Sequence, residues 1–107
     1  MELVTSIEEV QKILTTNTRV VIDFMAEWCP PCKALAPKIE KLAETDTDIK
    51  FIKVDAQKMD GDFVSAQSVS SMPTIKFFKD GEAIETLTVI GPNFAKVQEG
   101  VKKLILH

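Results

Sequence analysis

The stretch Arg19-Val20-Val21-Ile22-Asp23-Phe24-Met25-Ala26-Glu27-Trp28-Cys29-Pro30-Pro31-Cys32-Lys33 changes character halfway. Its first seven residues are β-branched and nearly all apolar, the pattern of a strand buried on both faces, as inside a parallel sheet. The second half opens a helix expected over 31–44. Leu35, Ile39, Leu42 and Ala43 recur there at helical spacing and supply its buried stripe. Prolines at the start of a helix cost little, because the amides they lack would be unpaired anyway. Pro37 lies inside the helix and removes the bond to the Lys33 carbonyl, which predicts a kink. A buried strand running into a helix, with two cysteines at the junction, is the unit around which the rest of the chain arranges itself.

Working outward, Glu2 to Thr5 suits a short edge strand, and Ser6 with Glu9 reads as a capping box. Ile7, Val10, Ile13 and Leu14 give the first helix its apolar stripe, and Asn17-Thr18 ends it. Beyond the second helix, Asp46-Thr47-Asp48 is a turn and Ile49 to Asp55 a strand. A short helix over 59–67 turns Phe63 and Val64 inward. Pro73 opens a strand over 74–78, Asp80-Gly81 signals a hairpin, and its partner strand spans 83–89. Gly91-Pro92 breaks the pattern. Asn93 then caps a last helix with Phe94, Val97, Val101, Leu104 and Ile105 on one face. The order βαβαβαββα predicts an α/β protein: a central five-stranded mixed β-sheet flanked by four α-helices, a three-layer α/β/α sandwich. Repeats, low-complexity runs and Gly/Ser linkers are absent, so residues 1–107 are read as one domain.

The net charge of −3 argues against nucleic acid as the main partner, since phosphate binding needs clustered Lys and Arg. No run approaches the ~20 apolar residues of a membrane span. The Met1-Glu2-Leu3-Val4 start has no basic region or apolar signal core, and the Leu104-Ile105-Leu106-His107 end carries no prenylation or retention signal. The expected location is the cytoplasm, away from the membrane. Two cysteines, three residues apart, are too few for a disulfide scaffold. In a reducing compartment such a pair is catalytic or metal-binding more often than structural.

On a helix, residues three apart are neighbours, so Cys29 and Cys32 can bond and separate with little backbone movement. Cys29 sits just before the helix, where free N–H groups and the dipole favour a negative sulfur and lower its pKa. Pro30 and Pro31 have no N–H to offer, so the first donor able to face that sulfur is the Cys32 amide. Cys29 would attack a target disulfide as a thiolate, and Cys32, one helical turn inward, would resolve the mixed disulfide. Asp23, in the middle of an apolar strand, is the candidate base for Cys32, since burial raises a carboxylate's pKa. Lys53, in a later and neighbouring strand, would pull that pKa back down. Other readings stay open on the residues alone. The pair could be a structural disulfide, whose small loop would add about 2 kcal/mol, or half of a zinc site completed in a dimer. Asp23 could be a hydrogen-bonded structural carboxylate, Lys53 a solvated lysine and Trp28 ordinary core; beside a reactive thiol, Trp28 suits a docking surface better.

At these residues the chain resembles the thioredoxin family. Residues 21–33 look like its active-site signature, Ala36-Pro37 like its kinked helix, and Met72-Pro73-Thr74 like its proline loop. Phe77-Phe78-Lys79-Asp80-Gly81 resembles its hairpin and Gly91 the glycine before its last helix. The resemblance spans nearly the whole chain. It implies the thioredoxin fold and reduction of protein disulfides through Cys29 and Cys32, with a part in cell redox homeostasis. Pro73 would be cis and packed on the disulfide, whereas its plain reading is a proline at a strand start. The Met72 backbone would pair with a bound substrate strand, and Trp28, Pro30, Met72, Pro73, Ile90 and Gly91 would form the docking surface. The implied partners are NADPH-dependent thioredoxin reductase and disulfide-containing clients such as peroxiredoxins, with no cofactor or metal on this chain, which would act as a monomer. Two departures stand out. Pro30 replaces the glycine commonest before the second proline, and Met25 stands where many members carry an aromatic or a small polar residue. Rival functions are a tryparedoxin-like or isomerase-like donor, and a module that binds a partner near Met72 with redox chemistry secondary.

Overall fold

The computed structural model describes all residues, 1–107. Strands are β1 (Glu2–Leu3), β2 (Arg19–Met25), β3 (Lys50–Asp55), β4 (Thr74–Lys79), β5 (Glu82–Ala83) and β6 (Val89–Ile90). Helices are α1 (Ile7–Thr16), α2 (Pro30–Thr45), α3 (Gly61–Ala66) and α4 (Phe94–Ile105). They make one mixed sheet in the order β1-β3-β2-β4-β5, with β6 also on β4. The β1–β3 and β2–β3 pairs are parallel, and β4 is antiparallel to β2, β5 and β6.

The apolar run of β2 takes the centre of that sheet because both its faces are covered. Val21, Ile75 and Phe77 face Leu35 and Ile39 of α2 and Val97, Val101 and Leu104 of α4. Val20, Ile22, Phe24 and Phe78 face Val10 and Ile13 of α1, with Phe63 and Val64 of α3 at the margin. Each of the larger side chains removed from water contributes roughly 1.5–3 kcal/mol, so two closed layers, rather than any single contact, hold the sheet. Gly100 lets α4 lie directly on the sheet: a Cβ there would stand 2.5 Å from a ring carbon of Phe77.

Several boundaries differ from the sequence reading, each for a local reason. The fifth strand expected over 83–89 is split. Phe78 pairs with Ala83 and Ile75 with Val89, so three steps along β4 match six on the returning chain. The surplus is a 3₁₀ turn at Glu85–Leu87. The helix expected over 59–67 shortens to Gly61–Ala66 because Asp60 accepts from the amides of Asp62 and Phe63 and caps it there. Lys58 and Met59 instead donate to the Asp55 carbonyl in a turn closing β3. Ile105, expected on the buried face of α4, is exposed. It follows Leu104 by one position, about 100° around the helix from the buried row. The end of α4 is held from outside by Arg19, whose guanidinium donates to the carbonyls of Leu104 and Ile105 and of His107.

Candidate active site

Cys29 is the N-cap of α2, and Pro30 and Pro31 fill its first two positions. Neither proline can donate, so the first amide free to turn back is that of Cys32, which meets Cys29 Sγ at 3.3 Å. The helix N-terminus thus points its first available donor at the sulfur, where negative charge is favoured. Cys29 and Cys32 are joined as a disulfide, their Cα atoms 5.3 Å apart.

The expected contrast between an outer and an inner cysteine is not expressed as exposure, since both are 3% exposed in the oxidised protein. Ala26, Met25 and Met72 pack over the pair. What separates the sulfurs is direction. Cys29 Sγ faces the Met72 carbonyl at 3.8 Å. Cys32 lines a pocket of about 340 Å³ behind the disulfide, together with Asp23, Met25, Pro37 and Lys53.

Asp23 is 1% exposed, and no protein donor reaches either of its carboxylate oxygens. Burial pushes its pKa from the ordinary 3.8 up to about 7, and the charge of Lys53, its partner across β2 and β3, pulls in the opposite direction. Desolvation wins because Lys53 is half-buried and makes no ion pair with the carboxylate. Asp23 is therefore neither a satisfied structural carboxylate nor half of a salt bridge.

On the other side of the disulfide the Met72–Pro73 bond is cis. Thr74 Oγ1 donates to the Ser71 carbonyl at 2.7 Å. The Gly91 amide donates to the Pro73 carbonyl at 2.9 Å, and Thr74 pairs with Ile90. Gly91 has φ +93°, which glycine adopts without steric cost. These bonds bring Met72, Pro73, Ile90 and Gly91 to one edge beside the sulfurs. Ile90 and Trp28 are 70% and 62% exposed, and Pro30 is exposed with them. Pro73 itself is buried and contributes backbone rather than surface.

Two neighbours escaped the sequence reading. Trp28 Nε1 donates to Gln57 Oε1, and Asp55 Oδ1 accepts from the Gln57 amide at 2.9 Å, fixing the turn that presents it. An aspartate at the end of β3, placed to accept from the amide two residues on, was the available signal. Glu27 and Lys58 form an exposed ion pair at 2.9 Å on the same rim, and that contact raises the Lys58 pKa.

The chain matches the family model described as Thioredoxin over residues 2–103. It is 37% identical over 103 residues to Thioredoxin 1 of Plasmodium falciparum, covering 96% of each protein. A solved structure of Plasmodium falciparum thioredoxin superposes with a TM-score of 0.89 at 36% identity, covering 96% of this chain and 98% of that one. A further match is a chain from the yeast structure describing the thiol resolving mechanism of a mitochondrial 1-Cys peroxiredoxin via the glutathione and thioredoxin systems (TM-score 0.87, 32% identity, 96% and 94% covered). With the sheet order, the capped cysteine pair and these matches in agreement, the chain belongs to the thioredoxin family, and it is a protein-disulfide oxidoreductase working by dithiol–disulfide exchange.

Proposed function

We propose that Cys29 is the nucleophile and Cys32 the resolving cysteine, in one domain of residues 1–107. The observation that carries this is the asymmetry of the two sulfurs: Cys29 receives a helix-terminal amide at 3.3 Å, while Cys32 shares a pocket with an unpartnered carboxylate. In the reduced protein, the Cys29 thiolate attacks one sulfur of a target disulfide and expels the other as a thiolate, leaving a mixed disulfide. Asp23, as carboxylate, takes the Cys32 proton. Its pKa of about 7 keeps a large share ionised near neutrality, within about two units of an ordinary thiol. The Cys32 thiolate then attacks Cys29 Sγ, and the second target sulfur leaves and is protonated. The target gains two electrons and two protons; this chain ends as the disulfide. Lys53 keeps Asp23 from rising further and is assigned a tuning role.

Trp28, Pro30, Met72, Pro73, Ile90 and Gly91 are proposed as the docking surface, with the Met72 backbone open to an extended client segment. Family members generally work with thioredoxin reductase and disulfide substrates. For this chain we assign an NADPH-dependent reductase as electron donor and peroxiredoxins among the clients, a choice favoured by the yeast match. We assign it to the cytoplasm as a monomer. No helix is long and apolar enough to cross a membrane. No cofactor is assigned to the chain itself, nor a nucleic-acid partner.

The test is a coupled assay with thioredoxin reductase, NADPH and insulin. The unaltered protein should support NADPH oxidation and Cys29→Ser should not. Asp23→Asn should slow resolution of the mixed disulfide, measured by stopped flow, and remove its dependence on pH near 7. Full activity in Cys29→Ser would refute the assignment, and unchanged resolution in Asp23→Asn would retire the base.

A further inference from the structure

Lys76 lies in the middle of β4, opposite Ile22, and is 3% exposed. A lysine in that position is unexpected, since removing an ammonium from water is costly. Its partner Glu85 is exposed, and an ion pair with one solvated member returns little. An apolar side chain of similar length would fill the space at less cost, so stability alone does not account for the charge.

Its contacts do. Lys76 Nζ donates to the Gln67 carbonyl at 2.6 Å and to Glu85 Oε1 at 2.9 Å. Gln67 is the C-cap of α3, an end where a cation is favoured. Ser68 follows with φ +59°. Its amide donates to Ser65 and the Val69 amide to Val64, a closed helix end from which the chain runs directly to Met72. Thr74, two residues from Lys76 on the same face of β4, holds the Ser71 carbonyl. Two side chains of one strand therefore hold both ends of the segment 67–71. Through Glu85, the same ammonium reaches the 3₁₀ turn that leads into Val89–Ile90.

We propose that Lys76 is a positioning residue for client docking. From inside the sheet it fixes the spacing between the Met72 loop and the Ile90 strand, so that an extended segment of a disulfide-bearing protein fits between Trp28 and Ile90. This rests on the reading of those residues as the docking surface.

The test compares insulin with the small disulfide DTNB (5,5′-dithiobis(2-nitrobenzoate)) in the reductase-coupled assay. Lys76→Met keeps the length and loses the donors. It should raise KM for insulin about fivefold with little change in kcat, and lower the insulin-to-DTNB efficiency ratio in proportion. An unchanged insulin KM, or equal losses for both substrates, overturns the proposal. Should Lys76→Met fail to fold, the exposed Glu85→Ala stands in, with an expected rise of about twofold; no rise there is equally fatal. Ile90→Ser tests the docking surface by itself. If it raises KM and Lys76→Met does not, only the positioning role falls; if Ile90→Ser has no effect, the docking reading falls.

Discussion

Asp23 and Lys76 are two buried charged residues on adjacent strands, one rung apart: Asp23 lies opposite Ile75, and Lys76 opposite Ile22. They face different sides of the sheet. Asp23 looks toward α2 and α4 without a protein donor on either oxygen. Lys76 looks toward α1 and α3, with its ammonium bonded to a helix-end carbonyl and a carboxylate. The comparison separates two uses of a buried charge. A partnered one is locked in geometry and holds chain segments in place. An unpartnered one is free to change protonation, which a proton acceptor needs and a structural group does not.

The difference should be measurable as stability. Folded Asp23 holds its proton up to about pH 7, whereas the unfolded chain releases it near the ordinary 3.8. The stabilisation is therefore complete at the acid end and lost as pH rises through that window, by about 4 kcal/mol. Urea unfolding of the oxidised protein at intervals from pH 4 to 8 measures it. Asp23→Asn should flatten the slope and be more stable than the parent above pH 7; a parent with no slope would mean that Asp23 is not held protonated. Lys76→Ala should lose about 2 kcal/mol through the cavity left by the buried stem and the unpaired Gln67 carbonyl while keeping the Asp23 slope. Loss of that slope would show that the two faces are coupled. Gly100→Ala, on the Asp23 side, should lose roughly 1–2 kcal/mol. Overpacking against Phe77 outweighs the gain of about 1 kcal/mol in helix propensity. Ser6→Ala, on the Lys76 side, removes the cap that accepts from the Glu9 amide and should cost about 1 kcal/mol. Both are read from urea midpoints at pH 7, and a stabilised Gly100→Ala would mean that α4 can lift off the sheet at no cost.

Local chemistry was legible in the sequence. Prolines cannot donate, so the Cys32 amide had to be the donor to Cys29, and it is. Buried β2, the α1 cap and the order of strands and helices likewise follow from neighbouring residues. What could not be read depends on distant chain. Gln57 meets Trp28 across 29 residues, and Arg19 caps α4 across 85. Lys76 resembles any strand lysine until α3 closes over it. The split of the 83–89 strand was hidden because Glu85-Thr86-Leu87-Thr88 alternates like a strand, while the three surplus residues emerge only from its register with β4. The equal burial of the two sulfurs was not readable from their spacing, since it depends on Met72, 40 residues beyond Cys32, packing against the pair.

Which sulfur a client meets first can be read directly. Reduced Cys32→Ser and Cys29→Ser proteins are each offered an insulin-derived peptide disulfide, quenched with acid and mapped by mass spectrometry. A lasting adduct is expected on Cys29 in the first variant and almost none on Cys32 in the second. Adduct forming readily on Cys32, and poorly on Cys29, would contradict Cys29 as the nucleophile.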